Sequence, residues 1–93
     1  MGAVRTVEYE AMVRDRSSKR LAELRKIYGF TQTALSDRLN ISRQSLYYYE
    51  KGIRNIDICV LVKIKEVFGV SPEWILGIKD DDPKIRARQK YNI

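Results

Sequence analysis

From residue 17 to residue 77 the apolar positions recur at helical spacing. Leu21, Leu24 and Tyr28 form one stripe, Leu35 and Leu39 a second, and Leu46 with Tyr49 a third. Leu61, Ile64 and Phe68 form a fourth, and Ile75 with Leu76 closes the set. Between the stripes stand Gly29, Asn40, Gly52, Gly69 and Gly77, residues that tolerate the left-handed conformation in which many helices stop. Ser18, Thr31, Ser42, Asp57 and Ser71 are candidate N-caps, the last followed by Pro72 at the first helical position. The pattern predicts five helices near 18–28, 32–39, 43–51, 58–68 and 72–76. No alternating strand pattern competes inside this stretch.

The flanks carry weaker signals. In residues 1–16, Val7 and Tyr9 alternate with Glu8 and Glu10 as in a strand, whereas Tyr9, Met12 and Val13 suit a helix leading into the first stripe. Both readings stay open. After Gly77 comes an acidic turn, Lys79-Asp80-Asp81-Asp82-Pro83, and then a basic stretch with Lys84, Arg86, Arg88 and Lys90. The expected organisation is an N-terminal extension (1–16), a helical domain (17–77) and a charged C-terminal tail (78–93).

Composition narrows the chemistry. The chain has 93 residues, enough for one domain, and 44% of them are apolar, enough for one modest core. Eighteen basic residues against twelve acidic give a net charge of +6, which favours a polyanionic partner, nucleic acid or an anionic surface. With no histidine and a single cysteine, Cys59, neither a disulfide nor a metal site rich in His and Cys can be assembled. No nucleophile, base and orienting group come together either, so no enzyme and no cofactor is expected. The longest apolar run, Ile58–Val62, is far short of the ~20 residues that span a bilayer. The early acids argue against a secretory signal, and Gly2 with Thr6 fits an acylation pattern only superficially. A cytoplasmic protein without a membrane partner is expected.

The second and third predicted helices, joined by Leu39-Asn40-Ile41-Ser42, have the spacing of a helix-turn-helix, whose second helix enters the DNA major groove. At 100° per residue Leu46, Tyr49 and Glu50 point to one side. Gln44, Tyr47, Tyr48 and Lys51 point away, with Arg43 on the rim. Gln can bond adenine bidentately, Arg can bond guanine, and a tyrosine offers a hydroxyl to phosphate and a ring to a thymine methyl. Exposed tyrosines in succession suit an interface with DNA or with protein. The aromatics are too few and too clustered for a single-strand stacking platform. Arg25 and Glu50 fall on the inward stripes of their helices, where they either pair or reach back to solvent.

The run from Leu21 through Gly29-Phe30-Thr31-Gln32, Ile41-Ser42-Arg43 and Tyr49-Glu50-Lys51-Gly52 resembles the Cro/repressor-type, lambda repressor-like helix-turn-helix family. So does its continuation through Leu61, Ile64, Gly69-Val70-Ser71 and Trp74-Ile75-Leu76-Gly77. The resemblance covers residues 18–77 and implies an all-α, five-helix domain with short terminal extensions. It implies base reading by Arg43, Gln44 and Tyr48, with Ser45 and Tyr47 beside them, and backbone contacts from Gln32, Ser42, Lys51, Arg54 and Asn55. It favours a buried Arg25–Glu50 salt bridge and dimerisation near Trp74. Ser36, Asn40, Ile56 and Lys65 depart from the family pattern. Val60, Val62 and Cys59 make the fourth helix apolar over an unusual arc, to be covered by a terminus or a second subunit. The expectation is a repressor that binds double-stranded DNA as a homodimer. The alternative is an antitoxin-type module that grips a protein partner through its termini.

Overall fold

The computed structural model describes residues 6–90 and forms six helices among them: α1 (Val7–Ile27), α2 (Gln32–Leu39), α3 (Arg43–Glu50), α4 (Ile58–Phe68), α5 (Pro72–Ile75) and α6 (Pro83–Lys90). The described residues contain no strand, so the all-α expectation holds, with six helices in place of five. The acylation-like position Gly2 lies outside the described residues.

From Val7 onward the N-terminal flank is helical. Thr6 caps α1, its hydroxyl accepting the Tyr9 amide at 3.0 Å, and Glu8 and Glu10 in the first turn suit the positive end of the helix dipole. Ser18, a candidate cap in the sequence, is instead buried inside α1 and donates its hydroxyl to the Asp15 carbonyl. The expected boundary between residues 16 and 17 therefore falls within one continuous helix. Two arginines tie the N-terminal half of α1 to the rest of the domain. Arg14 Nε donates to the Gly52 carbonyl at 3.0 Å, and an Arg16 guanidinium nitrogen donates to the Gly77 carbonyl at 3.4 Å.

The core follows the predicted stripes. Leu21 and Leu24 of α1, Leu35 and Leu39 of α2, Leu46 and Tyr49 of α3, and Leu61 and Ile64 of α4 are all buried together. Val60 belongs to the same cluster, so part of the apolar arc of α4 is covered by its own chain. Val62 is not, at 50% exposure, and neither is Ile58 one turn before it, at 76%. Trp74 is buried as well, under the Arg20 guanidinium at 4.5 Å from the ring centroid.

Helix α6 is the element that the periodicity did not announce, because its sequence offers a single core residue, Ile85. Its N-terminus is organised by the buried Asp82. One carboxylate oxygen accepts the Lys84 amide and the other accepts the Ser71 amide, both at 2.9 Å, so the acidic turn starts α6 and fastens it to the start of α5. Further along, Arg88 lies 5.1 Å from the ring centroid of Tyr28, which packs on Phe30 and Phe68. Burial pushes the Tyr28 phenol above its ordinary pKa, partly opposed by Arg88 and reinforced by Asp82.

Because Ile85 is the one apolar anchor of α6, Ile85→Ala should cost about 2 kcal/mol in urea unfolding, the low end for a core isoleucine. A loss below about 0.5 kcal/mol, typical of surface changes, would show that α6 is not docked in solution.

Candidate nucleic-acid interface

The site begins with two capped helices and a tight turn. Thr31 caps α2 by accepting the Ala34 amide at 3.1 Å. Asn40 ends it in the left-handed conformation, φ 56° and ψ 46°, and the Ile41 amide returns to the Ser36 carbonyl at 3.0 Å. Asn40 thus does what glycine does in this turn. Ser42 then caps α3, accepting the Ser45 amide at 3.0 Å and donating its own hydroxyl to Ser45 Oγ at 2.9 Å. At the other end Gly52 adopts φ 71°, a conformation costly for any residue with a Cβ, which lets the Ile53 amide return to the Tyr48 carbonyl at 2.9 Å.

Arg25 and Glu50 pair rather than reach to solvent. Arg25 Nε meets Glu50 Oε2 at 2.8 Å and a second guanidinium nitrogen meets Oε1 at 3.1 Å, a two-pronged contact. The side chains are only 18% and 5% exposed, respectively. The remaining guanidinium nitrogen donates to the Phe30 carbonyl at 3.1 Å, and Gln32 Nε2 donates to Glu50 Oε1 at 3.3 Å. One carboxylate on α3 therefore gathers α1, the connection after it and the first residue of α2. It also leaves Gln32 with one amide N–H and its carbonyl oxygen for an outside partner.

The opposite face of α3 is open. Arg43, Gln44, Tyr47 and Tyr48, with Gln32 at the edge, line one shallow depression. Gln44 Nε2 donates to the Tyr48 hydroxyl at 2.8 Å. The guanidinium of Arg54 lies 4.8 Å from the Tyr48 ring centroid, and Lys51 Nζ lies 5.7 Å from that of Tyr47. Arg43, Lys51 and Arg54 give this side three cations, and Glu50, the acid of α3, is turned inward. Asn55 is exposed too, but it borders a different groove with Tyr9, Val13, Ile56 and Leu76.

The structure thus brings Gln32, Arg43, Gln44, Tyr47 and Tyr48 together, with Lys51 and Arg54 at the C-terminal margin. Ser42 and Ser45 sit at the N-terminal margin, engaged with each other. The bond from Gln44 to Tyr48 was not anticipated from the sequence, although the four-residue spacing carries it. Of the three positions considered for dimer contact, Trp74 and Val60 are spent on the core and only Val62 offers surface. Among the described residues no group of three or more His, Cys, Asp or Glu could hold a metal ion, and no helix is long and apolar enough to cross a membrane.

Two short capped helices across a left-handed turn, with the second presenting a polar, cationic face, define a helix-turn-helix domain. A helix-turn-helix family model matches residues 21–75, and the chain belongs to that family, of Cro/repressor type. It is 38% identical over 66 residues to the HTH-type transcriptional regulator ImmR of Bacillus subtilis, covering 71% of this chain and 51% of ImmR. It is 32% identical over 71 residues to the regulator YobD of the same species, covering 75% of this chain and 63% of YobD. RamB of Mycobacterium tuberculosis is 37% identical over 68 residues, 73% of this chain but 14% of RamB. The chain thus spans about half of ImmR and less than two thirds of YobD. No solved structure matches it. The matched segment is a helix-turn-helix domain, and these relatives are named as regulators of transcription.

Removing Arg25 leaves the Glu50 carboxylate buried with Gln32 as its remaining partner among the described residues. Arg25→Ala should cost about 3–5 kcal/mol in chemical unfolding, a large share of a small domain's stability. Arg25→Met combined with Glu50→Leu should recover much of that loss. A single-mutant loss under about 1 kcal/mol, as for exposed pairs, would contradict a buried bridge.

Proposed function

We propose that the chain is a sequence-specific regulator of transcription that binds double-stranded DNA in the cytoplasm through α3. The observation that carries this reading is the outward face of α3, where Arg43 and Gln44 stand free of the core beside the cations Lys51 and Arg54. Arg43 and Gln44 match the donors and acceptors of guanine and adenine in the major groove, with Ser45, Tyr47 and Tyr48 at their flank. Gln32, Ser42, Lys51, Arg54 and Asn55 hold the phosphate backbone. Bound at a promoter, such a domain represses by occupying the site.

A homodimer fits the scale of the problem. One short helix reaches only a few base pairs, and two copies set ~34 Å apart read a two-fold operator. With Trp74 and Val60 buried, the surface we assign to dimer contact is Val62 with Ile58, one turn apart on the exposed side of α4. Sedimentation equilibrium should show a dimer that Val62→Asp dissociates. An unchanged mass for the variant would move the contact elsewhere.

A second reading is favoured by the first turns of α1, where Val7, Tyr9 and Met12 are exposed beside the groove lined by Val13, Ile56 and Leu76. An antitoxin-type protein partner would dock there while α3 remains free for DNA. Limited proteolysis of the purified chain then cuts within the first turns of α1 first, whereas a self-sufficient dimer protects them.

Binding should weaken steeply with salt, log K falling against log salt with a slope of about −0.9 per neutralised phosphate. Lys51→Ala or Arg54→Ala should make that slope shallower by about one, and an unchanged slope in both would remove the loop from the interface. Gln44→Ala should cost about 1–3 kcal/mol on the preferred operator, concentrated at one base pair per half-site. A folded Gln44→Ala protein with the parent's affinity and the parent's base preferences would overturn the assignment of α3 as the reading helix.

A further inference from the structure

Tyr48 sits among the residues that face outward from α3, but its surroundings give it a different task from theirs. Its hydroxyl accepts a hydrogen bond from Gln44 Nε2 at 2.8 Å, one helical turn earlier on the same face. Its ring lies under the Arg54 guanidinium at 4.8 Å. Its carbonyl accepts the amides of Ile53 at 2.9 Å and of Arg54 at 3.4 Å. Tyr48 is therefore held from the loop side by main chain and by side chain, and holds Gln44 in turn.

An unrestrained glutamine has three rotatable bonds to freeze before its amide can meet a base edge, at an entropic cost among the largest for any side chain. An amide already bonded to a fixed hydroxyl has lost part of that freedom before DNA arrives. The Gln44 amide nitrogen carries two hydrogens. With one committed to Tyr48, the group keeps one N–H and the Oε1 acceptor, the pair that adenine N7 and N6 require.

We infer that Tyr48 is a positioning residue: it sets the Gln44 amide for base recognition and mechanically joins that reader to the Arg54 loop on the phosphate side. This rests on the reading of α3 as the base-contacting helix. The recognised ligand is duplex DNA with an adenine at the pair that Gln44 faces. The tyrosine contributes through the glutamine and not through a base of its own.

The test is a two-by-two comparison of the full chain, Tyr48→Phe, Gln44→Ala and the double variant, each used to select from random duplex DNA at one stated salt. Unfolding midpoints are measured alongside. Tyr48→Phe should lower the preference for adenine at Gln44's base pair by on the order of fivefold, the worth of about one net hydrogen bond, and leave the rank order of bases elsewhere as in the parent. In the Gln44→Ala background the same change should have no further effect on that pair, since the group being positioned is gone. A structural role would instead lower preference at every pair and depress the unfolding midpoint.

Besides that outcome, three results overturn the inference. The first is a Tyr48→Phe protein that selects the parent's sequence with the parent's preference at that pair. The second is an equal loss with and without Gln44. The third is a loss at a different base pair, which would make Tyr48 a reader in its own right. A parent chain that enriches no sequence at all overturns the DNA reading itself, which separates that failure from the failure of Tyr48 alone.

Discussion

The carboxylate of Glu50 is the constraint on which the arrangement of this domain depends. It lies at the last residue of α3, yet it is bonded twice by Arg25 of α1 and once by Gln32 of α2. Arg25 is itself anchored on the Phe30 carbonyl between those two helices. A buried ion pair of this kind is a poor source of net stability, because desolvation offsets most of its attraction, but it is sharply directional. Its consequence is orientation. With Glu50 fixed inward, the helical repeat turns Gln44 and its neighbours outward, and the polar face of α3 is presented rather than buried.

Around that centre, side chains of α1 and the turn before α6 act as straps. Arg14 reaches from α1 to the Gly52 carbonyl just past the end of α3, so the additional turns of α1 brace the C-terminus of the presented helix. On the far side Asp82 joins the starts of α5 and α6, and Arg20 donates to the carbonyls of both Trp74 and Lys79. These contacts satisfy helix-end groups that a short domain otherwise leaves to water. The short helices α2 and α3, each of 8 residues, keep one relative geometry through the Gln32–Glu50 bond and the shared burial of Leu35, Leu39, Leu46 and Tyr49.

What the sequence revealed depended on how much of each element faces the core. Helices α2, α3 and α4 carry regular stripes and clear caps, and their ends agree with the periodicity to within a residue. The Arg25–Glu50 pair was legible as two charges on inward stripes. The start of α1 was less so, because its first turns are largely exposed and the Val7, Tyr9, Met12 and Val13 pattern fits a strand as well as a helix. Helix α6 was hidden for the same reason, with Ile85 alone to mark it and a cap, Asp82, that reads as one more acid in an acidic turn. Outward placement of Gln44 and Tyr48 followed from the helical repeat. Their mutual bond did not, since either side chain has other rotamers at that spacing.

In the function proposed here the Glu50 bridge aims α3 at DNA. Nuclear magnetic resonance of the labelled chain, titrated with a duplex obtained by selection, maps the surface that meets DNA. The largest shift changes should fall on the side-chain amides of Gln32 and Gln44 and on the backbone from Arg43 to Asn55. Signals of the first turns of α1 and of α6 should stay in place. Changes centred on Val7–Val13 or on Lys84–Lys90, with the Gln44 amide unmoved, would contradict it.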